Sequence, residues 1–131
     1  ENTLPQPLPD GVILDAAEQE GSNTLQYILE KTRRLAKEQD IGLIAIDYLQ
    51  IVDGCNETTL KDCSQLSDEL NVPFVVASQL PRSVDARNNR RPELVDFDEL
   101  GINTDDAKAV LAIYRKDKEN SREIAWLKEG A

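Results

Sequence analysis

Histidine is absent from this chain of 131 residues, and cysteine occurs only at Cys55 and Cys63. Without histidine or CxxC spacing, the two thiols make neither a zinc site nor a disulfide framework. Cys63 reads as a small core hydrophobe and Cys55 as a loop residue. No apolar run approaches the roughly 20 residues that a membrane span needs. The opening Glu1-Asn2-Thr3-Leu4-Pro5 lacks the basic and apolar regions of a signal peptide, so the expected address is the cytoplasm, with no membrane partner. No G-x-x-x-x-G-K-S/T phosphate loop occurs, and the glycines are scattered. An amide cradle around a triphosphate is therefore not expected within these residues. Nor is there a G-x-S-x-G elbow: Ser78 sits in Ala77-Ser78-Gln79, which gives an unrelated α/β hydrolase no nucleophile motif.

What is present is the composition of a globular protein, 40% hydrophobic and 31% charged. The length suits one domain, or part of one, over residues 1–131. The net charge of −10 repels phosphate backbones over most of the surface. Any nucleic-acid contact must then come from neighbouring subunits or from a local patch. Arg82, Arg87, Arg90 and Arg91, diluted by Asp85, make one such patch. The alternative is a solvated, arginine-rich loop.

Pro5, Pro7 and Pro9 predict an extended lead-in over 1–11. Val12-Ile13-Leu14, ending at Asp15, predicts a short strand. Asn23 is a candidate helix cap with Gln26 as its capping-box partner. Leu25, Ile28, Leu29, Leu35 and Ala36 recur at helical spacing, and the polar run Lys37 to Asp40 ends that helix. Leu43-Ile44-Ala45-Ile46, closed by Asp47, predicts a strand buried on both faces. Leu60, Cys63, Ser67 and Leu70 make a second helical stripe, and residues 73–78 the next strand, with Pro73 at its permitted first position. Residues 81–106 show no convincing period and read as one long polar loop, with only a hint of a helical turn near its end. Strands near 109–114 and 122–127, joined by the polar Lys116 to Ser121, predict an antiparallel hairpin. The expected fold is α/β: a central sheet with strands near 12–15, 43–47, 73–78, 109–114 and 122–127, the first four parallel.

In open α/β sheets, ligands gather at the carboxyl ends of strands. Asp15, Asp47 and Gln79 occupy such ends here. A rigidly held carboxylate after a buried strand suits Mg²⁺ bound through water, which makes Asp47 the candidate metal residue. Gln79 has the chemistry to sense a γ-phosphate by hydrogen bonding. The alternatives are an aspartate that caps a loop and a surface glutamine.

The order of motifs carries a resemblance. Leu43-Ile44-Ala45-Ile46-Asp47-Tyr48-Leu49-Gln50 resembles the Walker B segment of DnaB-type replicative DNA helicases. Asn71-Val72-Pro73, Ala77-Ser78-Gln79-Leu80, Arg82-Ser83-Val84 and Arg87 resemble that family's next strand and its glutamine motif. Arg90-Arg91-Pro92-Glu93-Leu94, Asp96, Glu99, Gly101, Asp105 or Asp106, and Ala107 resemble the loop lining its central channel, and Ala109 to Arg115 the strand after it. The match runs in order from about Leu25 to Arg115, with a looser continuation to Lys128.

The resemblance implies a RecA-like P-loop NTPase sheet, mostly parallel with a C-terminal antiparallel hairpin, truncated before its core because the phosphate loop is absent. It implies ATP and Mg²⁺ as cofactors of the full-length protein, with Asp47 and Gln79 catalytic; without the phosphate loop, neither ligand is expected to bind these residues alone. It implies single-stranded DNA contacts from the loop that holds Glu99 and Gly101, beside the basic patch of Arg82, Arg87, Arg90 and Arg91, with weak affinity expected here, and neighbouring subunits in a hexamer. Lys128 matches the lysine of a Lys-x-Arg pair that reaches a neighbour's ATP site. Two departures matter: Asp98 stands where the family usually has arginine, and Gly130 where the arginine finger belongs. Two readings follow: part of a helicase motor domain, inactive by itself, or a stand-alone helicase-like interaction or regulatory protein without ATPase activity.

Overall fold

The computed structural model describes residues 24–116 and 121–130. Helix α1 (Leu25–Glu38) opens at Thr24, whose side chain accepts from the Tyr27 N–H at 3.2 Å. That bond satisfies one of the amide donors left over at any helix start. The cap is thus Thr24 with Tyr27, one residue later than the Asn23 expected, which lies outside the described residues. Helix α2 (Thr59–Leu70) ends at Asn71, which adopts the left-handed conformation at φ 52 that asparagine tolerates. Its buried stripe is Thr59, Cys63 and Leu66, not the Leu60 and Ser67 the spacing suggests. Thr59 goes inside because its hydroxyl has a partner, the Asn56 N–H at 2.8 Å.

Strands β1 (Ile44–Ile46) and β2 (Phe74–Val76) pair in parallel, with Ile44 opposite Phe74 and Ile46 opposite Val76. Leu25, Ile46 and Cys63 form the centre of a core completed by Ile28, Leu29, Val52, Phe74 and Val76. Burial pushes the Cys63 thiol up to about 11, so it stays protonated and behaves as the apolar residue expected. Burial on both faces of β1 is not observed. Only Ile46 is buried; Ala45 is exposed, and Leu43 and Val75 are each 56% exposed. Both helices contribute to the face that carries Ile46, Phe74 and Val76, and among the described residues the opposite face is open.

Strands β3 (Val110–Arg115) and β4 (Arg122–Lys128) form the expected antiparallel hairpin. They do not extend the parallel pair. The described residues hold two separate two-stranded sheets, which corrects the expectation of one sheet with four parallel strands. A strand joins a sheet only where its N–H and C=O groups meet another edge, and those of β3 meet β4 alone. The strand expected at 12–15 lies outside the described residues, as does the lead-in over 1–11.

The stretch 81–106 is not the structureless loop its composition suggests. It contains 3-10 helical segments at Arg82–Ala86, Leu94–Leu100 and Thr104–Asp106, with Val84, Pro92, Asp96 and Phe97 buried. Short 3-10 turns carry no long period, which is why periodicity did not reveal them. No described helix is long and apolar enough to cross a membrane.

Leu66 is fully buried on α2. We expect Leu66→Ala to destabilise the chain by about 2–5 kcal/mol, from lost transfer energy plus the cavity left behind. Urea unfolding followed by circular dichroism measures this. A loss below about 1 kcal/mol would place α2 outside the cooperative core.

Candidate functional site

Parallel pairing brings the carboxyl ends of β1 and β2 side by side, and the residues just beyond them carry the chemistry. The ladder runs past the strands: the Ala77 N–H donates to the Ile46 carbonyl at 2.9 Å, and the Leu49 N–H to the Ala77 carbonyl at 3.0 Å. Asp47 and Gln79 therefore emerge at one edge, both exposed. The Asp47–Tyr48 peptide is cis.

Gln50 locks this edge, a role the sequence did not reveal beyond its place in the Tyr-Leu-Gln series. Its Nε2 donates to Ser78 Oγ at 2.9 Å, and its Oε1 accepts from the Gln79 N–H at 3.0 Å. The Ser78 hydroxyl in turn donates to the Gln79 carbonyl at 3.0 Å. The segment after β1 thus holds the backbone of Gln79 by a side-chain amide that uses both donor and acceptor. The Asp47 carboxylate has no hydrogen-bond partner among the described residues. It is left available, as a carboxylate that binds a hydrated divalent cation must be. No cluster of three or more metal-ligating side chains exists among the described residues, so any cation here would take most of its ligands from water and a bound phosphate.

The arginines divide by role. Arg87 forms a two-pronged ion pair with Asp96, which is only 3% exposed; Arg87 Nη1 also donates to the Arg91 carbonyl at 2.9 Å. Asp96 accepts the Glu93 N–H at 2.7 Å as well. These bonds make Arg87 a structural anchor of the stretch. Arg82 and Arg91 are exposed and Arg90 is half-buried. Glu99 accepts a hydrogen bond from the Ser83 hydroxyl at 3.0 Å and so ties one 3-10 segment to another. Gly101 ends the Leu94–Leu100 segment at φ 68, where a side chain would be strained. The Lys128 ammonium donates to the Thr104 and Asp105 carbonyls at 3.1 and 3.0 Å. In this way it caps a turn of its own chain.

A family model described as the DnaB-like helicase C terminal domain matches residues 13–129. The replicative DNA helicase DnaB of Nostoc sp. is 40% identical over 98 residues, 68% of this chain and 11% of that protein. The DnaB of Geobacillus stearothermophilus is 39% identical over 103 residues, 71% of this chain and 23% of that protein. A solved structure of a DnaB-like replicative helicase, described with its interactions with primase, matches with a TM-score of 0.60 at 30% identity. It covers 81% of this chain and 30% of that one. The chain spans less than a quarter of the length of either curated relative.

The Arg87 guanidinium holds the Asp96 carboxyl below its ordinary value of 3.8, against the opposing effect of burial and with help from the Glu93 N–H. A depressed carboxyl stabilises the fold above its unfolded value and loses that contribution as pH falls through the lower folded value. Amide exchange protection over 93–101 should therefore be flat above about pH 4 and drop below it, by this linkage. In Asp96→Asn that step should vanish and protection should be low at every pH. A step that survives the substitution would assign the pH dependence to another carboxyl.

Proposed function

Since the chain belongs to the DnaB-like helicase C-terminal domain family, we propose that it is the second half of a RecA-like motor domain in a replicative DNA helicase. The observation that carries this reading is the paired emergence of Asp47 and Gln79 at adjacent strand ends, clamped by Gln50. In the complete motor, Asp47 would hold Mg²⁺ through water beside the phosphates of ATP. The ion would neutralise charge on those phosphates; Gln79, on a backbone fixed by Gln50, would hydrogen-bond the γ-phosphate. Its strand leads directly into the arginine-bearing stretch, so a small shift at Gln79 has a short covalent path to Arg82.

Exposed apolar faces support the RecA-like, partial-domain reading. Val75 on β2, and Leu111, Ile113, Ile124 and Trp126 on the hairpin, are 46 to 66% exposed. Apolar surface of this kind is covered in a complete protein. In this reading further elements of the longer relatives, including the phosphate loop, cover it and join the two small sheets into one. Single-stranded DNA would meet Arg82, Arg87, Arg90, Arg91, Glu99 and Gly101, neighbouring subunits would complete a hexamer, and the cytoplasm of a bacterial or phage-infected cell would be its location.

A second reading, an interaction or regulatory protein without motor activity, is favoured by two specific residues. Asp98 is acidic where the resemblance expects a phosphate-binding arginine, and Gly130 lacks the finger side chain.

Grafting residues 24–130 in place of the matching segment of the Geobacillus stearothermophilus helicase separates the two. We expect the chimera to hydrolyse ATP, and Asp47→Asn to lower kcat on the order of 100-fold through lost electrostatic stabilisation. The 131-residue chain by itself should release phosphate from Mg-ATP only at background, because no phosphate loop is in its sequence. A chimera that assembles but does not turn over would favour the second reading.

A further inference from the structure

An open cleft of about 510 Å³ lies between the turn after β2 and the loop end of the hairpin, and four arginines line it: Arg82, Arg90, Arg115 and Arg122. Asp85 is the one carboxylate among its lining residues. None of the four guanidinium groups forms an ion pair among the described residues. This concentration occurs in a chain whose net charge is −10, where acidic partners abound.

Two features of the backbone make the cluster unfavourable when empty. Arg115 and Arg122 are direct cross-strand partners, and like charges placed opposite each other destabilise a hairpin. Arg90 sits at φ 50, a left-handed conformation that residues with a side chain avoid. It is held there by its N–H, which donates to the Arg87 carbonyl at 3.2 Å, and Arg87 is itself anchored on Asp96. Repulsion and strain converge on one cleft, and an anion of more than one charge relieves the first.

The lining also indicates which anion. Tyr114 is the only aromatic residue of the lining; it is 9% exposed, and its hydroxyl is bound to Glu123 at 2.8 Å. The cleft therefore offers no stacking platform and reads charge without reading a base. Guanidinium forks match phosphate oxygens in geometry as well as charge.

We propose that Arg82, Arg90, Arg115 and Arg122 form a subsite for adjacent backbone phosphates of a single-stranded nucleic acid. This rests on the proposed nucleic-acid function. It adds Arg115 and Arg122, which the motif resemblance did not mark as contacts, and separates them from the Glu99–Gly101 turn.

The test uses the 131-residue chain, a fluorescein-labelled thymidine dodecamer at low salt, and pyrophosphate by calorimetry. The variant is Arg115→Gln with Arg122→Gln; Arg34→Gln, an exposed residue of α1, controls for lost charge. We expect the double variant to bind both probes about tenfold more weakly or worse, as for lost charge-assisted hydrogen bonds. Its log-affinity against log-salt slope for the dodecamer should be shallower by about 1.4, at about 0.7 per phosphate contact. Its melting temperature should not fall, because a like-charge pair is removed, and Arg34→Gln should bind as the unsubstituted chain does. If the dodecamer binds the double variant as well as it binds Arg34→Gln, the cleft proposal fails while the nucleic-acid reading stands. Cleft-dependent binding of pyrophosphate without any binding of the dodecamer overturns a nucleic-acid strand as the ligand. Binding of neither probe overturns the subsite altogether.

Discussion

A carboxylate that is 3% exposed must find strong donors, and the way Asp96 finds them organises the whole stretch between the two sheets. Arg87 supplies two and the Glu93 amide a third. Because Arg87 also reaches the Arg91 carbonyl and its own carbonyl receives the Arg90 N–H, one ion pair sets the path of residues 87–96. Phe97 and Pro92 pack inside as a consequence of that path. The pair is thus a scaffold for the arginines beside it, and Arg87 cannot be exchanged for one of them. Lysine would keep the charge but lose the fork that grips both carboxylate oxygens.

The order of elements was legible in the sequence because it follows from hydrophobic period and turn residues. The helix over Leu25–Glu38 and the hairpin of Val110–Arg115 with Arg122–Lys128 fall where the apolar spacing puts them. Pairing between distant segments was less legible. The run Leu43 to Ile46 is apolar throughout, and such a run predicts burial on both faces, yet Leu43 and Ala45 are exposed. A one-dimensional pattern states what a strand is suited to, and neighbours decide what it obtains.

The candidate site divides in the same way. Asp47 and Gln79 were readable because strand ends are positional: an apolar run stops, and the next polar residue sits at the edge. Gln50 was not, because its role depends on Ser78 and Gln79 lying across the sheet, which spacing along the chain does not encode. Arg87 and Arg90 look alike in the sequence, two of four arginines in ten residues. Only the buried Asp96, nine positions on from Arg87, separates the anchor from the cation that lines the cleft.

Charge then links the scaffold to the proposed ligand. A surface with a net charge of −10 holds a polyanion away almost everywhere, so attraction has to be local to be felt within a Debye length. Four guanidinium groups set into a cleft meet that condition, because its low-dielectric walls focus their field while the surrounding carboxylates repel any strand from the flanks. The acidic background then acts with the basic cleft: it removes non-specific positions for a strand and leaves one. On this view the exposed apolar face of the hairpin, with Ile113 and Ile124 paired next to Arg115 and Arg122, is continuous with the cleft. Whatever covers that face lowers the local dielectric beside the arginines. Covering it therefore raises both the cost of leaving the cleft empty and the gain from filling it with phosphate.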